Sequence, residues 1–326
     1  MKALWVAAGW LAYLAPAGAL AGAAAAPPSG TELTVLTPVV DLGEVEPGET
    51  PALPGRLTLM VRSSGPWQLA VRRDPATSAH ELTAVPRARA AERVLVRLPD
   101  GMWQALPPGL PVALTSGSAT PRGGVPLEIE LSAESTFDCP PGQRLDRLRL
   151  LVNGVAAPVD ARIGYAVPRH VTLAASPAVG QPATQVDPTK AGVYPLETRV
   201  YTVSSNSPWT MTVRLRSILQ DARSRRGLPE TTLVLLGTAG KPQPLTPGVA
   251  VPFANGPATG TGGAAVALRL GVALASGAIQ GDYSAELDVV ASVGDITTPG
   301  GPRPALHGGP AGDKNVTATE VLRLRQ

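Results

Sequence analysis

Alternation of apolar and polar residues at period two dominates this chain. Leu57-Thr58-Leu59-Met60-Val61, Trp67-Gln68-Leu69-Ala70-Val71-Arg72, Leu127-Glu128-Ile129-Glu130-Leu131 and Leu148-Arg149-Leu150-Leu151-Val152 carry it early. Val200 to Val203, Trp209 to Val213, Val266 to Leu270 and Leu287-Asp288-Val289 carry it later. This period turns one face of an extended strand to a core and the other to water. Between the runs stand Asp100-Gly101, Pro108-Gly109, Pro141-Gly142 and Asn153-Gly154, residues that reach turn conformations at little steric cost. Short strands at roughly 8–12-residue spacing predict an all-β, antiparallel sandwich architecture. No helical period of useful length is present; Ser217 to Arg226 predicts at most one short helical turn.

The pattern occurs twice. Ser63-Ser64-Gly65-Pro66-Trp67-Gln68-Leu69-Ala70-Val71-Arg72 returns as Ser205-Asn206-Ser207-Pro208-Trp209-Thr210-Met211-Thr212-Val213-Arg214. Gly101 to Leu148 lies on Gly240 to Leu287 without a gap, with Leu106, Gly117, Thr120 and Leu131 recurring as Leu245, Gly256, Thr259 and Leu270. Two tandem Ig-like β-sandwich repeats are therefore expected, over 31–168 and 169–326, joined at Pro168-Arg169-His170. Each repeat, at about 130 residues, is long enough to bury its own core. The second carries a Gly/Pro-rich loop at 294–314, a composition that supports no packed core.

Ahead of the repeats, Lys2 and the apolar run Ala3 to Leu20, followed by small residues, read as a signal peptide over 1–23. The alternative, an uncleaved anchor, is disfavoured by Pro16, Gly18 and Gly22. The expectation is an exported product, secreted or held in the cell envelope, with no membrane span after signal cleavage and no covalent anchor. Formal charge is +3 for the whole chain, and arginine supplies most of the cations. Its densest stretch is Arg214, Arg216, Arg223, Arg225 and Arg226, a candidate grip for an anionic wall polymer or another envelope protein. Aromatic residues are too sparse for base stacking, so nucleic acid is not an expected partner. Cys139 is the sole cysteine and aligns with Ala278, which reads as a small apolar position or as a thiol for pairing with another chain.

Trp67 and Trp209, each preceded by Pro66 or Pro208, read as fold-determining core residues in preference to sugar-stacking platforms, because both repeats keep them. Trp103 aligns with Pro242 and follows a turn, which marks it as the candidate contact aromatic. His80, His170 and His307 have no repeat partners and no metal-ligand spacing, and no nucleophile-elbow motif exists. No catalytic residue, metal site or cofactor is expected.

The segment Gly281-Asp282-Tyr283-Ser284-Ala285-Glu286-Leu287-Asp288-Val289 is similar to the close of many exported bacterial Ig-like domains. Trp67-Gln68-Leu69 weakly resembles the WxL-type cell-surface domain, whereas Trp209-Thr210-Met211 departs from it at the third position. The resemblance implies non-covalent association with a Gram-positive wall. The expectation is a non-catalytic surface protein with a structural, adhesive or scaffolding role. Its alternatives are a carbohydrate- or wall-polymer-binding module and a subunit of a surface fibre or coat built by exchange of the last strand, Asn315 to Leu324.

Overall fold

The alternating runs form strands, and in the first half of the chain they build two facing sheets. The computed structural model describes residues 30–49, 53–74, 92–176, 184–185, 190–196, 198–221, 227, 232–237, 241–274, 282–293 and 315–325. The predicted signal peptide, the 294–314 loop, His80, His307, Arg223, Arg225 and Arg226 lie outside the described residues. One sheet runs β1 (Thr31–Val35), β3 (Gly55–Ser63), β8 (Val125–Ser135), β5 (Glu92–Arg97), β6 (Gln104–Ala105). The other runs β2 (Val39–Glu44), β10 (Val155–Val167), β9 (Gly142–Val152), β4 (Trp67–Asp74), β7 (Pro111–Gly117). The inward phase buries Leu57, Leu59 and Val61 from one sheet against Leu69, Val71, Leu148, Leu150 and Ile163 from the other. Pairing is antiparallel apart from β2 on β10, which is parallel, so the first stretch of chain divides itself between the two sheets.

The second half repeats this plan with breaks. Its strands are β11 (Val171–Ala175), β12 (Thr184–Gln185), β13 (Gly192–Pro195), β14 (Arg199–Ser205), β15 (Trp209–Leu215), β16 (Gln220–Asp221), β17 (Leu233–Leu235), β18 (Gln243–Pro244), β19 (Ala250–Gly256), β20 (Ala264–Leu268), β21 (Leu270–Leu274), β22 (Asp282–Val293) and β23 (Asn315–Arg325). They form β11-β14-β20, β13-β21-β17-β18 and β12-β23-β22-β15-β19, around a second hydrophobic core. Hydrogen bonds recur at matching positions. The Thr120 hydroxyl accepts from the Ser63 N–H at 2.9 Å, as Thr259 does from Ser205 at 2.9 Å. Gly109 N–H donates to the Arg73 carbonyl and Gly248 N–H to that of Leu215, both at 2.8 Å. The last strand is docked on β22 from Ser292↔Asn315 to Asp282↔Arg325.

No helix occurs among the described residues, and the expected helical turn at Ser217–Arg226 is absent from its described part. Leu219 is buried, and Gln220 and Asp221 pair with Ser284 and Tyr283 instead, so the edge of β22 captures the segment as strand.

The halves meet through short contacts around the Pro168–His170 connection. The Asn206 side chain accepts from the His170 N–H and donates to the Pro168 carbonyl, each at 2.9 Å. His170 packs against Phe137 with ring centroids 5.6 Å apart. Asp138 accepts from the backbone N–H and the hydroxyl of Thr261, which hold its carboxyl below the usual range against a small opposing effect of burial.

Candidate functional site

Trp67 and Trp209 open β4 and β15, and both are buried. Their cross-strand partners are Gly117 and Gly256. A Cβ on either glycine would fall 2.7 Å from the indole Cζ2, so the ring occupies the space that a side chain would need. Both indole N–H groups are buried without a hydrogen-bond partner among the described residues.

In the first half, three polar residues occupy inward positions beside the core. Arg73 on β4 follows Trp67, Leu69 and Val71 in phase, Asp146 on β9 precedes Leu148 and Leu150, and Tyr165 on β10 follows Ala161 and Ile163. Arg73 donates to Asp146 at 2.5 Å and to the Tyr165 hydroxyl at 3.3 Å. Tyr165 donates to Glu92 at 2.9 Å, and Arg144 donates to the other oxygen of that carboxylate at 2.7 Å. Glu92 opens β5 in the opposite sheet, so this chain of bonds ties the two layers together. Burial pushes the Glu92 carboxyl up, but hydrogen bonds from Cys139, Arg144 and Tyr165 and the charge of Arg144 outweigh it, and the group sits below its ordinary range. Cys139 is fully buried and donates to Glu92 at 2.8 Å. Burial first, then the Glu92 carboxylate, push its thiol up to about 12, which suppresses the thiolate. The second half has Leu215, Ala285 and Ala278 at the positions of Arg73, Asp146 and Cys139.

Of the arginine-rich stretch, Arg214 and Arg216 are described. Both donate to Asp288 at 2.7 Å, and Thr319 donates to the same carboxylate at 3.2 Å. Asp288 lies fully covered beneath the two half-exposed arginines. Hydrogen bonds from Arg216 and then Arg214 hold its carboxyl down at about 2, against a smaller effect of burial. Arg216 also lies 3.9 Å from the exposed Glu286, so both cations are ion-paired where they face solvent.

Trp103 is 37% exposed, and the Arg97 guanidinium lies 4.4 Å from its ring centroid. Arg97 in turn donates to Glu130 at 2.6 Å. One face of this indole is therefore taken by an ion-paired arginine. Tyr283 is buried and Tyr194 is partly buried against the second core, so neither joins Trp103 in a flat aromatic surface. Among the described residues no group of three or more His, Cys, Asp or Glu side chains could hold a metal ion.

The second half also holds a cavity of about 780 Å3 that sequence reasoning missed. Trp209, Leu235 and Val266 are among its apolar lining, and Lys241, Asn255 and Arg269 among its polar lining. It opens between β19 and β20, the edges of facing sheets. The corresponding place in the first half carries bulkier residues: Leu127 stands where Val266 does, Val125 where Ala264 does, and Trp103 where Pro242 does.

No protein-family model matches the chain, and no curated protein does. Solved structures similar to it include CfaE, the adhesive subunit of the CFA/I fimbria of enterotoxigenic Escherichia coli, at 13% identity over 91% of this chain and 87% of that one, with a TM-score of 0.29. The CupB6 tip adhesin from Pseudomonas aeruginosa is similar at 11% identity over 82% of this chain and 96% of that one, with a TM-score of 0.30. The C-terminal domain of the Streptococcus agalactiae AgI/II polypeptide BspA is similar at 8% identity over 91% of this chain and 100% of that one, with a TM-score of 0.22. At these scores the likeness is one of all-β character and carries no functional weight.

Proposed function

We propose that this chain is an exported, non-catalytic protein of the cell surface, in which two tandem Ig-like sandwiches act as a structural, adhesive or scaffolding element. One observation carries the reading: the ionisable groups that the sheets bury are paired with one another. Arg73 is held by Asp146, Glu92 by Arg144, and Asp288 by Arg214 and Arg216. A general acid, base or nucleophile needs a group free to meet a substrate, whereas these pairs brace strands and sheets. The Trp–Gly packing in both halves and the contacts across Pro168–His170 suit a spacer whose two halves are tied at their connection.

The test is sedimentation of the purified protein with isolated cell-envelope material, together with the size of the unbound fraction. Retention by the envelope supports the reading. Loss of retention in salt assigns it to cationic groups such as Arg214 and Arg216. A plain monomer that no envelope fraction retains overturns it.

A further inference from the structure

We propose that β20 is a docking edge for an extended peptide segment of a partner protein, one with alternating apolar residues and an acidic residue near its end. This deepens the adhesive reading by naming the partner's chemistry and the strand that meets it.

The argument begins with what each half does to its exposed sheet edges. An unpaired edge presents a row of N–H and C=O groups that another strand can join, and folded proteins block such edges with proline, charge or a bulge. In the first half, the N-terminal part of β8 pairs with β3 on one side and with no strand on the other among the described residues. It is blocked twice. Pro126 lacks an N–H, and Glu128 carries a charge held by Arg56 at 3.0 Å. Their counterparts in β20 are Ala265 and Ala267, both exposed. Over Ala264–Leu268 the edge has no charge and no proline.

β19, across the opening, is blocked in the usual way. Pro252 lies within it, and the register with β15 shifts between Ala254 and Pro252, leaving Phe253 as a bulge. Only one lip of the opening is thus prepared for a strand. A segment added to β20 would drop every second side chain into the cavity, beside Val266 and Trp209. The cavity lining has no carboxylate, and neither Lys241 nor Arg269 has an ion-pair partner among the described residues. Glu130 occupies the place of Arg269 in the first half, where Arg97 neutralises it, so the excess of positive charge is particular to the second half. An acidic residue on the incoming segment meets that excess of positive charge.

The experiment titrates the full chain with the peptide fluoresceinyl-Gly-Gly-Asp-Val-Thr-Val-Thr-Val-Asp-amide. Its comparison peptides have a central proline or lysine in place of aspartate. Saturable binding of the acidic peptide alone, with slowed amide exchange confined to β20, is the expected result. Ala265→Pro and Ala267→Glu, which install first-half residues, each weaken binding about tenfold or more, the scale of a lost ladder hydrogen bond or a repelled charge. Arg269→Glu shifts the preference to the lysine peptide. Should Ala265→Pro impair folding, Ala267→Glu and Arg269→Glu still decide the matter. Equal binding of the proline peptide overturns the strand-addition geometry. So does displacement by decanoate with no exchange protection of β20, which would make the cavity a small-amphiphile site, or self-association without peptide binding, which would make the edge a contact between copies. Envelope retention that survives Ala267→Glu leaves the surface reading standing while this proposal falls.

Discussion

The indole of Trp67 fills the space above its cross-strand partner Gly117, and a methyl group on that glycine would lie 2.7 Å from Cζ2. Trp209 and Gly256 repeat the relationship at the same distance. The tryptophan and the glycine thus form one unit, and that accounts for both recurring in the two halves.

Gly117→Ala is therefore expected to destabilise the protein by about 1–3 kcal/mol through overpacking. Trp67→Ala costs about 3–5 kcal/mol through the cavity that it leaves. In urea unfolding, Gly117→Ala combined with Trp67→Phe should lose less than the sum of the single changes. Additive losses would show that ring and glycine do not meet.

Arg73 and Asp146 are each 5% exposed and 2.5 Å apart. Asp146→Ala leaves the buried Arg73 with only the Glu92 carboxylate, 4.0 Å away, as counter-charge, and is expected to cost about 2–3 kcal/mol, less than a fully orphaned buried charge. Arg73→Leu with Asp146→Ala installs the pair found at Leu215 and Ala285, and recovers most of that loss. Denaturant midpoints of the single and double variants check it.

Asp288 makes acid stability a local question. Its folded value, about 2, lies below its ordinary 3.8. The contribution is fully present above the ordinary value and drains away as pH falls towards the folded one. Asp288→Asn should accordingly lower stability at neutral pH and flatten the stability profile between about pH 4 and pH 2. An unchanged acid limb in thermal melts would refute the assignment.

Cys139 should be inert in the folded protein. Burial and the Glu92 carboxylate push its thiol up to about 12, so a thiol-reactive reagent at about pH 8 finds little thiolate. Labelling is expected only after guanidinium unfolding. Rapid labelling of the native protein, or a disulfide-linked dimer that forms without unfolding, would contradict the packing around it.

Much of the inner framework was legible from period two. Leu57–Val61, Trp67–Arg72 and Leu148–Val152 fall within β3, β4 and β9, and Asn153-Gly154 makes the turn into β10 with both φ angles positive. The buried charges were legible in principle, since Arg73, Asp146 and Tyr165 stand on the inward phase of their strands. Their partnership was not, because Glu92 belongs to the opposite sheet and meets Arg144 across 52 residues of chain. The Val266–Leu270 run was read as one strand, and the structure splits it at Arg269 into β20 and β21.

By itself the sequence determined the inner strands such as Leu57–Val61, Trp67–Arg72 and Leu148–Val152, which face of each is apolar, and that the pattern occurs twice. These follow from local backbone geometry, in which successive side chains point to opposite faces. Tertiary structure alone decided the parallel seating of β2 on β10, the sharing of Asp288 between Arg214 and Arg216, and the cavity beside Trp209. Those depend on which strands become neighbours and on how much volume facing side chains fill, and period two carries no information about either.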